Sequence, residues 1–208
     1  MYVPRFNALE QPEEIRALVA ATGSAQLITV GQDGYPLASL LPLIWDEAES
    51  RLVFHVARAN AHSRSIAQGA PALAVVTGPE AYISPAWYAS KAEHGRVVPT
   101  WNYSAVHFQG IVRVHDDPAW AREAVTRLTD QHEQPRAEPW QAADAPASYV
   151  EKQLRAIVGV ELMIESVEAK AKLSQNRSEA DRAGVVAGLR AEGAGRERAV
   201  ANAMERLA

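Results

Sequence analysis

The sequence predicts a mostly β fold, an antiparallel sheet with short peripheral helices and a helical C-terminal tail. Three observations point there. Gly31-Gln32-Asp33-Gly34 lies between two apolar runs, and Asp-Gly supplies the positive φ that tight hairpins need. Val106, Phe108, Gly110, Val112 and Val114 alternate with His107, Gln109, Ile111, Arg113 and His115, the two-residue period of a half-buried strand. In the first half the strand-like runs follow one another closely, as in a meander, instead of alternating with long helices as in a doubly wound parallel sheet.

Each element has its own signal. Gln11 to Ala21 reads as a helix: Pro12, Glu13 and Glu14 favour a helix start, Ile15, Leu18 and Val19 share a face, and Gly23 stops it. Ala25 to Val30 and Leu37 to Trp45 are strands flanking the Gly31–Gly34 turn, and Arg51 to Ala57 is a third. Asn60 caps a short helix to about Gln68. Ala72 to Thr77 is an apolar strand, and Ala81 to Ile83 a short one. After the alternating strand, Asp116 or Asp117 caps a helix with Pro118 in its first turn, ending near Gln131. Gln134 to Ala147 is a loop, Val150 to Ile157 a short helix, and Val158 to Ser166 the last strand. From Ser178 onward the chain is helical. Gly184, Gly188, Gly193 and Gly195 each weaken a helix by about 1 kcal/mol relative to Ala, so this tail is expected to pack on the barrel instead of standing alone. The expected division is residues 1–177 as one domain and 178–208 as the tail.

Composition narrows the function classes. The 208 residues are 48% hydrophobic and 22% charged, which is ordinary globular composition for one domain with a substantial core. No apolar run reaches the roughly 18 residues of a membrane span, and no basic region leads into an apolar stretch, so a cytoplasmic protein is expected. The absence of Cys excludes disulfides, thiolate catalysis and Cys-based zinc sites. The formal net charge is −4, and the tail arginines (Arg177, Arg182, Arg190, Arg196, Arg198) alternate with acidic residues. That is the pattern of a solvated helix surface, and direct DNA binding is expected to be weak.

Between Tyr82 and Tyr103 lie two of the five Trp and three of the six Tyr, on a stretch interrupted by Pro85 and Pro99. Large flat side chains on a proline-stiffened loop, with Ser84, Thr100 and Asn102 between them, suit a planar ligand or a subunit interface. Left in solvent they would form a large apolar patch, so a homodimer is expected.

The segments Tyr82-Ile83-Ser84-Pro85-Ala86-Trp87-Tyr88 and Val98-Pro99-Thr100-Trp101-Asn102-Tyr103 closely resemble signatures of the PaiB family. Its members are described as FMN-binding negative transcriptional regulators and belong to the flavin-reductase-like split β-barrels. Met1-Tyr2-Val3-Pro4, His55-Val56-Ala57-Arg58-Ala59-Asn60 and Lys172-Leu173-Ser174-Gln175-Asn176-Arg177 resemble the family in the same order and spacing. The resemblance implies a split-barrel fold, an FMN site at a dimer interface, and a regulatory role. The alternative is an FMN-dependent oxidoreductase acting on a small planar substrate, and a third possibility is a flavin store without chemistry.

Arg58, Asn60, His62, Ser63 and Arg64 cluster where a strand leads into a helix, where free backbone donors and the helix dipole favour a phosphate. A capped surface helix would carry the same residues. In flavin-binding split barrels this region takes the FMN phosphate and the preceding strand edge lines the ring; the resemblance assigns that edge to Ser39, Leu40, Leu41 and Pro42, paired with His55 and Val56. It also implies that Trp101 and Asn102 reach a flavin bound mainly by the other subunit, while packing in a dimer core explains Trp101 equally well. The basic residue that many split-barrel enzymes carry on the earlier strand has no counterpart between Leu37 and Ile44. Six His form no metal-binding motif, and Gly-x-Ser-x-Gly, Rossmann and Walker loops are absent, so no metal and no catalytic residue is assigned.

Overall fold

The Gly31–Gly34 turn joins strands β1 (Ser24–Val30) and β2 (Pro36–Pro42), which pair antiparallel with Ser24 opposite Pro42 and Val30 opposite Pro36. Gly34 takes φ +84°, the left-handed conformation the turn requires. The computed structural model describes residues 1–207, within which two compact units form. The first takes Met1–Ala20, Thr77–Val106 and the chain from Glu168 onward; the second takes Ala21–Val76 and His107–Val167. Strands β5 (Pro71–Ile83), β6 (Thr100–His115) and β7 (Ile157–Lys172) each contribute residues to both.

The second unit is the sheet proper. Strands β3 (Ile44–Asp46) and β4 (Arg51–Ala57) complete it, in the hydrogen-bonded order β2-β1-β5-β6-β7-β4-β3. This is the antiparallel split-barrel fold, with a sheet that hydrogen bonds do not close. The single strand expected over Leu37–Trp45 is two strands because Pro42 has no amide donor and the chain changes partners there. Leu43 gives its N–H to the Gly23 carbonyl at 3.1 Å, and Ile44–Asp46 then pairs with Arg51–Val53. The two edges of the sheet are thus joined through one buried residue, Leu43. Inside, Leu27, Leu52, Phe54, Phe108, Val160 and Leu162 are fully buried, and Trp45 meets Phe108 edge-on at 5.0 Å.

Helix α4 (Pro118–Glu133), capped by the Asp117 side chain, covers this sheet with Ala124 and Leu128 against Ile44 and Val53. Its Arg127 bonds the Asp46 carboxylate at 2.9 Å, beside Arg51, which also pairs with the buried Glu161. His115 gives the second contact to Glu161 and stacks on Trp120 at 4.3 Å. Helix α2 is shorter than expected, Ala61–Ser65, and α5 (Ala147–Arg155) begins earlier than Val150.

In the first unit, Pro12 opens α1 (Pro12–Thr22) as expected. The expected strands Ala72–Thr77 and Ala81–Ile83 are one strand, β5, whose buried positions switch from even (Ala74, Val76) to odd (Ala81, Ile83). That change of parity interrupts the alternation a sequence reader relies on. The tail forms α6 (Glu179–Glu192) and α7 (Gly195–Arg206), whose Val185, Leu189, Val200 and Met204 pack on Ala81, Ile83, Ala171 and Leu173. The tail glycines have a packing reason. A Cβ on Gly184 would lie 2.1 Å from the Trp87 carbonyl oxygen, and one on Gly188 about 2.4 Å from its indole ring. Trp87 lies along this glycine stripe and gives its indole N–H to Glu192 at 3.1 Å.

Replacing Gly188 with Ala therefore sets two effects against each other. Helix propensity gains about 1 kcal/mol, whereas overpacking against the indole costs about 1–3 kcal/mol. Net destabilisation in denaturant unfolding is expected, and much of it should vanish when Gly188→Ala is made in a Trp87→Ala background. A Gly188→Ala protein more stable than wild type would contradict the close approach.

Candidate functional site

At the end of β4 the structure brings together most residues of the expected flavin corner, all within the second unit. Strand β2 approaches β4 across the open seam, so Ser39–Pro42 and His55–Val56 lie on neighbouring strands. Asn60 caps α2 by accepting the His62 N–H at 2.9 Å and gives its amide to Ser39 Oγ at 3.3 Å. The buried His62 ring bridges Ser39 Oγ at 2.8 Å and Thr29 Oγ1 at 2.9 Å, pinning the turn to β1 and β2. Ser63 Oγ donates to the Arg58 and Asn60 carbonyls. Arg58 is tied down as well: its guanidinium meets Asp116 and donates to the carbonyls of Arg155 and Ile157. Asp116 raises the pKa of Arg58, and Arg58 in turn lowers that of Asp116.

What remains open for a ligand is narrower than the sequence implied. Leu41 and Val56 point into the core, whereas Leu40, at 64% exposure, and Pro42 face out on the free edge of β2. Arg64 is exposed and makes only long contacts of 3.4 Å to two carbonyls. His55 Nδ1 is buried with no hydrogen-bond partner, and burial holds the ring below the ordinary histidine value, so it is neutral at pH 7.

Trp101 and Asn102 belong to the first unit and have different fates. Asn102 is wholly buried, its amide bonded to Ser174 Oγ at 3.1 Å and lying 3.5 Å from Met204 Sδ. Trp101 is 42% exposed and meets Tyr82 edge-on at 6.4 Å. Trp101 also lines a cleft of about 540 Å³ together with Tyr2, Tyr103, Lys170, Lys172 and Arg177. Three segments singled out from the sequence, Met1–Pro4, Val98–Tyr103 and Lys172–Arg177, converge here. Lys170, two residues before the last segment, carried no signal at all.

Comparison with known proteins decides the family. A family model described as "Putative FMN-binding domain" matches residues 1–166. The protease synthase and sporulation protein PAI 2 of Bacillus subtilis is 32% identical over 194 residues, covering 92% of this chain and 90% of that protein. The chain belongs to the PaiB family. A protein of Emericella nidulans is 30% identical over 97% of this chain and 95% of its own length. Among solved structures, an FAD and heme binding protein from Mycobacterium smegmatis superposes with a TM-score of 0.62 at 21% identity, over 85% of this chain and 79% of that one. A conserved protein from Mycobacterium tuberculosis gives 0.61 at 11%, over 86% and 95%. These two show a shared fold.

The cofactor of this PaiB-family chain is FMN. The groups in the corner that would meet such a ligand are the exposed Leu40 edge, the loosely held Arg64 and the unpartnered His55 Nδ1. No helix among the described residues is long and apolar enough to cross a membrane.

The pinned His62 generates a pH dependence. Burial lowers its pKa from 6.5, so the unfolded chain takes up a proton at a pH where the native ring resists it. Its stabilising contribution is full above 6.5 and declines as pH falls below that toward the depressed native value. His62→Gln should flatten the loss of stability on acidification, read by denaturant unfolding across a pH series. A residual slope from His55 should persist, and an unchanged slope would dissociate His62 from the effect.

Proposed function

We propose that this PaiB-family protein acts as an FMN-binding homodimer and a negative regulator of transcription, without a strong grip of its own on DNA. The observation that carries the flavin part is the corner at the end of β4. It combines an exposed apolar strand edge, a loosely held guanidinium and an unpartnered buried imidazole nitrogen, while its other polar groups satisfy one another. In this reading Arg64 holds the phosphate. Leu40 and Pro42 flank the ring, and the neutral His55 offers it a hydrogen bond. When bound, the flavin supplies reversible electron acceptance. The exposed Tyr82–Trp101 pair supports a subunit contact on the first unit.

Purified protein is expected to be yellow and to sediment as a dimer at micromolar concentration. Arg64→Ala should weaken FMN binding by about tenfold in a fluorescence titration, the loss of one charge-assisted contact. Colourless monomeric protein, or unchanged affinity in that variant, would remove the assignment.

A second reading, an FMN-dependent oxidoreductase, is favoured by the state of the tail arginines. Arg190 is bonded to Glu205 and Asn202, and Arg196 faces Glu80. With a net charge of −4 and two of the five tail arginines paired in this way, a strong grip on phosphates is not expected. Weak binding to promoter and scrambled DNA alike is expected across a salt series. Under the regulatory reading NADH and NADPH leave the flavin absorbance intact; rapid bleaching by either would favour the oxidoreductase. Nanomolar, steeply salt-dependent binding to the protein's own promoter fragment would make the regulator a direct DNA binder.

A further inference from the structure

The cleft of the first unit has a chemistry of its own. Its cations are Lys170, Lys172 and Arg177, and no Asp or Glu is among its lining residues. Lys170, only 6% exposed, gives its ammonium to the Tyr2 carbonyl at 3.0 Å and lies 5.7 and 5.1 Å from the Tyr2 and Tyr103 ring centroids. Lys172 donates to Thr100 Oγ1 and the Trp101 carbonyl. Burial, with Lys170 and Arg177 nearby, lowers the pKa of Lys172. Arg177 lies over the Tyr88 ring at 4.7 Å. The two ammonium groups are thus met in the cleft by carbonyls, a hydroxyl and aromatic faces, partners without a formal negative charge.

The walls are rigid. Ser174 takes φ +65°, a left-handed conformation that costs a non-glycine residue energy. The buried Asn102–Ser174 pair and the bond from Arg177 N–H to the Ser174 carbonyl hold it there. A cleft of about 540 Å³ suits a small molecule.

We propose that this cleft is a ligand site for a small planar aromatic carboxylate, with its anionic group on Lys170, Lys172 and Arg177 and its ring among Tyr2, Trp101 and Tyr103. The site goes beyond the flavin corner and the regulatory role, and it shares Trp101 with the proposed subunit contact. The carboxylate supplies the charge that the cleft lacks, and the aromatic side chains take a flat ring with little reorganisation.

The test uses FMN-loaded full-length protein, titrated calorimetrically with benzoate and with benzylamine, a cation of similar shape. Benzoate should bind and benzylamine should not. Lys170→Gln with Lys172→Gln should weaken benzoate by at least about tenfold while FMN content per chain stays unchanged, and Lys170→Arg with Lys172→Arg should retain binding. Should the double Gln variant fail to fold, Arg177→Gln carries the same expectation. Equal binding of the two probes, no benzoate binding, or unchanged affinity in the Gln variants would overturn the proposal. So would displacement of benzoate by excess FMN, or parallel loss of FMN in the variants, either of which would make the cleft part of the flavin site.

Discussion

The passage from β2 to β3 through Pro42 and Leu43 is the constraint on which the second unit rests. Those two strands are the opposite edges of the seven-stranded sheet, yet one residue separates them in the chain. A sheet edge normally exposes a row of unpaired donors and acceptors. Here covalent continuity bends the edges toward each other, and the buried Leu43 makes the last bond to the β1 side before Ile44 joins β4. The seam that results brings the free edge of β2 beside β4 and α2. His62 then fastens this arrangement from within, because its two ring nitrogens hold hydroxyls from β1 and β2.

That geometry explains why so many polar residues near Asn60 are internally satisfied. A tight strand-to-helix corner leaves backbone carbonyls and donors without ladder partners, and Arg58, Asn60 and Ser63 supply what is missing. A corner fixed in this way presents a small, preorganised set of open groups. Preorganisation lowers the entropy lost on binding, so few contacts can suffice for a large ligand.

The first unit follows a different rule, close approach permitted by small residues. Gly184 and Gly188 let α6 lie directly on the Trp87 backbone and indole. Asp181 on the same helix accepts from Ser90 N–H and Oγ at 2.9 Å, so the aromatic segment is anchored from both sides. The backbone donation from Ser90 is the foremost cause of the lowered pKa of Asp181. The proline-stiffened aromatic stretch accordingly divides. Trp87 and the buried Tyr88 serve packing against the tail, while Tyr82 and Trp101 stay at the surface.

The sequence by itself determined the elements whose signals are local. The Asp-Gly hairpin, the Pro12 and Asp117 helix starts, the Asn60 cap and strand Arg51–Ala57 all depend on a few neighbouring residues. The family signatures added the fold and the cofactor, because motifs in fixed order carry information that periodicity lacks. Only the tertiary structure decided which side chains are available. Arg58 and Arg64 look alike in sequence, yet only Arg58 meets the carboxylate of Asp116, distant in sequence, and the carbonyls of Arg155 and Ile157 at the start of β7. Asn102 and Trp101 are adjacent, and strand alternation buries one and exposes the other. The meeting of Tyr2, Tyr103 and Lys170 in one cleft likewise joins chain positions more than sixty residues apart. Contacts at such separation are set by how strands register and helices pack, which no local pattern of residue types encodes.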